Sequence, residues 1–255
     1  MKDQFYDLTQ QWLCEAISRK YAYGFTWLNQ KIIQIPQDIY AIQEIIWRIK
    51  PDLIIETGVA HGGSLILSAS MLALIDYCEA ISSNQKSLDL YRPNKLVIGV
   101  DIEIRRSNRD SIETHPLSKM IELVEGSSTD LSIIDHIKSR AKKSKKILVF
   151  LDSNHTHNHV LQELKAYAPL VSIDSYCVVW DTGIEDLPSG FITDRPWGKG
   201  NNPKTAVIEY LRELESGLYR GLDNHRLKFV VDHKIEDSII ITAAPHGFLK
   251  RVKVL

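Results

Sequence analysis

The stretch Leu53-Ile54-Ile55-Glu56-Thr57-Gly58-Val59-Ala60-His61-Gly62-Gly63-Ser64 restricts the choice of fold more than any other part of the chain. The turn signal Lys50-Pro51-Asp52 precedes it, and an apolar run from Leu65 to Ile75 follows. A short apolar run closed by glycines predicts a buried strand, a tight turn and a helix that begins near Gly62. Gly58 suits the turn, because a residue without Cβ takes positive φ freely. Gly62 and Gly63 let the first helical turn approach a ligand closely, with its unpaired N–H groups pointing outward. The stretch reads as a ligand cradle.

Its glycine spacing separates two nucleotide classes. A dinucleotide fingerprint would read G-x-G-x-x-G. Here the spacing is G-x-x-x-G-G, and Glu56 stands two residues before the first glycine. An acid there can accept hydrogen bonds from a cationic amino acid moiety, which NAD lacks. Glu-x-Gly-x-x-x-Gly resembles the first motif of class I S-adenosylmethionine (SAM) methyltransferases.

At 255 residues the chain suits one generous α/β domain with some decoration. The expected division is an N-terminal helical and aromatic extension over 1–50, acting as a cap or an oligomer contact, and a SAM-binding domain over 51–255. A net charge of −1 gives no electrostatic case for nucleic acid. The basic run Lys138 to Lys146 reads as a helix end, where cations complement the dipole. Cys14, Cys78 and Cys177 have neither metal nor disulfide spacing, which suits a reducing cytoplasm. Leu65 to Ile75 is too short to cross a bilayer, and Met1-Lys2-Asp3-Gln4 opens no signal peptide. A soluble cytoplasmic protein is expected, without a membrane partner.

In chain order, Phe5, Leu8, Trp12, Leu13, Ala16 and Ile17 predict a helix over about 3–20. An irregular aromatic segment, Tyr21 to Ile35, leads to a second amphipathic helix opened by Pro36. After the cradle helix and a polar stretch over Cys78 to Asn94, read as an extended helix end and loop, Lys95 to Val100 reads as a strand ending at Asp101. Ile104 to Met120 makes a crossover broken at His115-Pro116, and Ile121 to Val124 a third strand followed by Glu125-Gly126-Ser127-Ser128-Thr129-Asp130. Ser128, Thr129 or Asp130 would also cap a helix starting at Leu131. Lys146 to Leu151 and Ser175 to Trp180 are strands four and five, ending at Asp152 and Asp181. Gly183 to Asn202 is a long Gly-, Pro- and aromatic-rich segment, either a lid or a disordered connection, and loops of this length in compact domains are usually functional. Asn202-Pro203 opens a helix to about Ser216. Leu227 to Asp232 and Ser238 to Thr242 are expected to be the closing strands, with Gly247 to Leu255 as a tail.

The expected fold is therefore a Rossmann-like, doubly wound, mostly parallel sheet. In such a sheet ligands lie beyond the carboxyl ends of the strands. Five successive strands end in Glu56, Asp101, Ser127, Asp152 and Asp181. Strand ends that face only solvent need no acids. Asp152 and Asp181, on adjacent strands, would repel unless protonated or bridged by a cation. Oxygen ligands suit Mg²⁺, while His155 and His157 would suit a softer metal.

The tracts Glu56 to Ser64, Leu151 to His159, Val179 to Asp181 and Arg195 to Thr205 resemble the cephalosporin hydroxylase family. That family groups SAM-dependent, often sugar-directed O-methyltransferases with a cephamycin-biosynthesis protein. The resemblance implies that Glu56, Gly58, Gly62 and Ser64 hold the amino acid part of SAM, with His61 and Gly63 also in the cofactor-binding set. It implies that Asp101 takes the ribose, that Gly126, Ser127 and Ser128 take the adenine side, and that Asp152 and Asp181 bind Mg²⁺. His155 stands where catechol-type relatives have a catalytic lysine, and would receive the proton of an acceptor hydroxyl. Thr182 replaces an asparagine of those relatives, and Trp180 an acid of the cephalosporin protein, so the metal site is expected to be weaker or completed by water. Arg195, Trp197 and Asn201 would close a lid over a small hydroxyl acceptor. The implied function is Mg-assisted O-methylation of a sugar or sugar-bearing metabolite by a homo-oligomer. A hydroxylase-type component of antibiotic tailoring and a non-catalytic SAM-binding module are the alternatives.

Overall fold

The computed structural model describes residues 4–254. Met1 to Asp3, on which the expectation about a signal peptide largely bears, and Leu255 lie outside the described residues.

Helix α1 (Gln4–Ser18) leads to a hairpin of β1 (Phe25–Trp27) and β2 (Gln30–Ile32) within the segment read as irregular. Leu28 and Asn29 take φ of 45° and 70°, the paired left-handed conformation of a two-residue hairpin loop. The Trp27 indole N–H donates to Ser70 Oγ at 3.0 Å and fastens the hairpin to the cradle helix. Helix α2 (Pro36–Ile49) starts on its proline and buries Ile42, Ile45 and Ile46.

The central sheet takes β3 (Leu53–Thr57), α3 (Gly63–Ser82), β4 (Leu96–Asp101), α4 (Arg106–Thr114), β5 (Ile121–Glu125), α5 (Leu131–Ala141), β6 (Ile147–Leu151), α6 (His157–Tyr167) and β7 (Tyr176–Val179). After the 183–202 segment come α7 (Pro203–Leu214), β8 (Phe229–Val231), α8 (His233–Ile239) and β9 (Phe248–Arg251). The strand order is β5-β4-β3-β6-β7-β9-β8; the first five in that order are parallel, and β9 and β8 are antiparallel to their neighbours. The chain winds from β3 outward to β5 and then returns to β6. The switch point therefore lies between the tips of β3 and β6, where Gly58 and Asp152 stand. The doubly wound, mostly parallel sheet expected from the sequence is the fold observed.

Both faces of the sheet are covered. On one, Ile137, Leu164 and Tyr210 of α5, α6 and α7 pack against Ile55 and Val149; on the other, Ile45, Leu72 and Ile239 of α2, α3 and α8 pack beside Ile54 and Phe150. This two-sided burial explains the unbroken apolar runs of β3 and β6. Helix α3 extends beyond its apolar run to 20 residues, long and apolar enough by composition to cross a bilayer. In this fold its Leu65, Leu67, Leu72 and Ile75 are completely buried in the domain core.

The closing strands differ from expectation. Ser238 to Thr242 is not a strand. Its β-branched run is preceded by Ile235, and Ile235 and Ile239, four apart, are both buried on α8. Ile240, at φ 66°, ends that helix. The last strand, β9, falls in the segment read as a tail. Phe248 and Leu249 are fully buried between β7 and β8, and Arg251 is neutralised by Asp223 at 2.7 Å. A buried, paired arginine in an inner strand looks like a basic tail in sequence alone.

Candidate active site

The β3 turn is built as the glycines required, with one change of partner. Gly58 takes φ 91°, and a Cβ there would stand 1.9 Å from the Asp152 carbonyl oxygen. The β3 and β6 tips therefore touch backbone to backbone. Gly62, at φ 85°, and Gly63 instead make room for protein: the Ile112 side chain and the Lys31 carbonyl fill the space of their missing Cβ atoms. Gln30 donates to the His61 carbonyl and accepts from Ser111 Oγ at 2.6 Å, so the β1–β2 hairpin holds the cradle from outside. His61 itself faces Asn108, whose side chain donates to the Ala60 carbonyl at 2.8 Å.

Glu56 is buried behind the turn. Ser64 Oγ donates to its Oε1, while Oε2 has no partner among the described residues. Burial raises its carboxyl to about 8, against which the Ser64 bond works. An orphaned, buried carboxylate oxygen fits the ammonium of an amino acid ligand. Asp101 Oδ2 accepts from the Val59 and Ala60 N–H groups at 2.8 and 3.2 Å, and Oδ1 from Glu103 N–H at 3.2 Å. The second acid thus shapes the first turn. Beside it opens a cavity of about 340 Å³ lined by Ala60, His61, Asp101, Glu103, Arg105 and Asn108. A larger cleft of about 660 Å³, lined by Lys145, Ser172 and Arg251 among others, lies at the amino ends of the strands, away from these groups.

At the third strand, Gly126 N–H donates to the Asp101 carbonyl at 2.8 Å, and Ser127 Oγ pairs with Thr129 at 2.9 Å. Ser128 turns inward to His159 at 3.0 Å, and its carbonyl accepts from Tyr167. Asp130 holds the N-cap position of α5 without a side-chain cap bond.

Asp152, His155 and Asp181 converge, with one ligand atom of each lying within 4.8 Å of the others. His155 Nε2 is 3.3 Å from Asp181 Oδ2. Asp181 sits at φ 55°, a left-handed conformation that a non-glycine residue holds only when its surroundings enforce it. Those surroundings are the 240–247 loop: Gly183 N–H donates to the Ala243 carbonyl, and Thr182 Oγ1 to that of Pro245. Asp38, on the first turn of α2, holds the same loop by accepting from Ala243 N–H at 2.9 Å. It is completely buried, and its Oδ1 has no partner among the described residues.

The three histidines after β6 have three separate jobs. His155 joins the acids. His157 binds Thr205 at 2.8 Å and Glu209 at 3.2 Å, and so holds the start of α7. His159 lies between Ser128, Ser153 and the buried Glu163.

The 183–202 segment is ordered by its own sequence. Asn202 caps α7 in a reciprocal capping box with Thr205 and also donates to Glu185 and the Gly198 carbonyl. Lys204 pairs with Asp186 at 2.5 Å. Asn201 accepts from His157 N–H at 3.0 Å and donates to the Pro196 carbonyl, so it anchors this segment. Trp197 meets the His155 ring edge-on at 4.8 Å, with the Arg195 guanidinium 5.5 Å from its own ring.

This is an acid-rich site. Asp152 is pushed up by burial first, then by Asp181, Glu56, Glu163 and Asp38. Asp38 is raised to about 7 by burial. The converging carboxylates of Asp152 and Asp181 could hold a divalent cation of oxygen preference, with His155 beside them. Sequence reasoning missed Asp38 and Glu163. Asp38 reads there as an ordinary acid on a first helical turn, and Glu163 as one exposed helical charge among many.

A pH dependence follows. Glu56 and Asp38 bind protons more tightly folded than unfolded, so their stabilisation is complete below their ordinary values of 4.5 and 3.8. It is lost as pH rises through about 7 and about 8. Without ligands the melting temperature is expected to fall between about pH 5 and about pH 8. A cationic amino acid ligand with Mg²⁺ should flatten that fall in a thermal-shift series.

A family model described as rhamnosyl O-methyltransferase/CmcI matches residues 19–252. The rhamnosyl O-methyltransferase of Mycobacterium tuberculosis is 29% identical over 220 residues, covering 84% of this chain and 73% of that protein. The Mycobacterium leprae protein of the same name is 29% identical over 227 residues, covering 89% and 82%. Among solved structures, apo CmcI superposes with a TM-score of 0.54 at 16% identity, over 91% of this chain and 78% of that one. CmcI with Mg and SAM gives a TM-score of 0.52 at 16% identity, over 90% and 77%. These two likenesses show the shared fold.

Proposed function

The chain belongs to the rhamnosyl O-methyltransferase/CmcI family, and we propose that it transfers the methyl group of SAM, with Mg²⁺, to a hydroxyl of a sugar or sugar-bearing natural product. One observation carries the reading: Asp152, His155 and Asp181 meet at the switch point, directly against the Gly58 turn. The relatives' name, rhamnosyl O-methyltransferase, supports a deoxysugar acceptor.

SAM supplies a sulfonium-activated methyl group. Mg²⁺, when bound, supplies Lewis acidity to an acceptor oxygen. The chain's own residues do the rest. The free Glu56 oxygen would receive the amino acid ammonium, beside the Gly58 turn that lets the β3 tip meet Asp152. Asp152 and Asp181 would hold the cation. His155 would take the proton of the acceptor hydroxyl, the by-product of methyl transfer being S-adenosylhomocysteine (SAH). Asp181 Oδ2, 3.3 Å from His155 Nε2, holds the ring in place at the site. Trp197 covers His155 and keeps water from the proton-transfer path.

The test is label transfer from methyl-labelled SAM to rhamnose-bearing glycosides with Mg²⁺ present. Labelled ether product that EDTA abolishes is expected; SAM consumption without an O-methyl product would overturn the reading. Replacing His155 by Gln should lower kcat by about 10²–10⁴, with SAH affinity unchanged by calorimetry.

The same reading includes a homo-oligomer, with residues 1–50 contributing to the contact. Tyr40 on α2 and Leu74, Tyr77 and Ile81 on the adjoining α3 are 60%, 53%, 58% and 63% exposed. Apolar surface gathered in this way marks an interaction face. Light scattering after gel filtration should return a multiple of 29.1 kDa; a monomer throughout the micromolar range would refute it.

A further inference from the structure

A second cluster of metal-ligating side chains lies outside the methyl-transfer site. His233 opens α8, Glu236 follows one turn later, and His246 comes from the 240–247 loop. One ligand atom from each lies within 4.8 Å of the other two. His233 Nδ1 is 3.2 Å from Glu236 Oε2. That is close to the ~3.3 Å between neighbouring ligands that metal–nitrogen and metal–oxygen bonds of about 2.0–2.2 Å give in a tetrahedron. The rings of His233 and His246 meet edge-on at 5.1 Å.

The arrangement is held in place from the backbone. His246 takes φ 68°, a conformation rare for a side-chain-bearing residue, and its own N–H donates to Glu236 Oε1 at 2.7 Å. The carboxylate is therefore fixed between both histidines and is itself mostly covered, at 14% exposure. Burial, and then the Lys204 ammonium, hold the His246 ring below its ordinary value. The neutral imidazole, which is the ligating form, is thereby favoured at neutral pH.

We propose that His233, Glu236 and His246 form a second divalent-cation site, one that takes a borderline transition metal such as Zn²⁺. Two imidazoles and a carboxylate suit Zn²⁺, Co²⁺ or Ni²⁺, whereas Mg²⁺ prefers oxygen ligands alone. The two sites of this chain thus sort their cations by donor chemistry. Three protein ligands leave the coordination open to water or to an added group. The consequence is structural. The loop that supplies His246 also supplies Ala243 and Pro245, which hold Gly183 and Thr182 directly after Asp181. A cation tying that loop to α8 stiffens the support of the acid site.

The test titrates Zn²⁺ into the tag-free full chain by calorimetry, with excess Mg²⁺ present. His246→Asn is the first variant, because asparagine tolerates positive φ; His233→Ala is the second. Each should weaken Zn²⁺ binding at least about 100-fold, as expected for removal of a ligand. Each should also abolish the rise in melting temperature that Zn²⁺ gives, while melting in EDTA as the parent does. Asp152→Asn should keep the site. Absence of Zn²⁺ binding in the parent, retention in His246→Asn and His233→Ala, or complete loss in Asp152→Asn would overturn the proposal.

Discussion

Replacing Gly58 by alanine is expected to abolish measurable SAH binding and to lower the melting temperature of the ligand-free protein. The added Cβ would stand 1.9 Å from the Asp152 carbonyl oxygen, 2.6 Å from its carbon and 3.1 Å from Ser153 Cα. None of these is the far end of a flexible side chain. The β3 and β6 tips would have to part, and they are the two strands that flank the switch point. Strain at φ 91° adds to the clash. Backbone strain of about 1–3 kcal/mol and overpacking of about 1–3 kcal/mol together make ~2–6 kcal/mol. Even the lower half of that range weakens binding by tens to hundreds of fold if the ligand needs the intact turn. Gly198 is the control: nothing lies within 4 Å of its Cβ position and its φ is ordinary, so Gly198→Ala should bind SAH as the parent does. Calorimetry and thermal unfolding of the two variants decide the matter. Parent-like binding by Gly58→Ala would mean that the ligand does not use this turn.

Asp152→Asn should separate activity from stability, with opposite signs. Loss of a ligand to the cation removes Lewis-acid stabilisation of several kcal/mol, and ~4 kcal/mol is about a thousandfold in rate. Yet without ligands the variant should melt higher than the parent at about pH 8 and above. The parent Asp152 carboxyl is held up by burial and by Asp181, Glu56, Glu163 and Asp38. The folded state therefore binds its proton more tightly than the unfolded state does, and stability is lost as pH rises through the folded value. An asparagine has no such proton to give up. Its advantage should shrink as pH falls toward 3.8 and vanish well below that value, where the acid is protonated in both states. Mg²⁺ should stabilise the parent and leave the variant unchanged. A variant that lost stability at every pH would show that Asp152 serves as a hydrogen-bonded structural acid.

Local patterns carried far in this protein. The five parallel strands are doubly covered, so their apolar runs were unbroken and easily found, and their polar ends marked the site edge. Glu56, Asp101, Asp152 and Asp181 were visible because each closes such a run. Sequence was silent where a side chain's role depends on a distant partner. Asp38 reaches Ala243 across 205 positions, and no periodicity reports that. In sequence Gly62 and Gly63 suit the close approach of a ligand; in the structure Ile112 and Lys31, from segments far away in sequence, fill the space of their missing Cβ atoms. Ser128, expected near adenine, is turned to His159 by the fold of α6. At the carboxyl end, β-branched Ile239-Ile240-Ile241 suggested a strand, but burial of Ile235 and Ile239 on one helical face decided for α8. Charged Lys250 and Arg251 concealed β9, because an ion pair with Asp223 cannot be inferred from composition.

On the proposed function, a sulfonium nucleoside would lie across the β3 and β4 tips, with its reactive carbon directed toward an oxygen near Asp152 and Asp181. Calorimetric titration of the ligand-free chain with SAM, SAH and NAD, each with and without Mg²⁺, tests it most directly. Heat of binding for SAM and SAH, weakened by Glu56→Gln, with none for NAD, is the predicted result. Tight binding of NAD with no heat for either sulfur nucleoside would contradict the account.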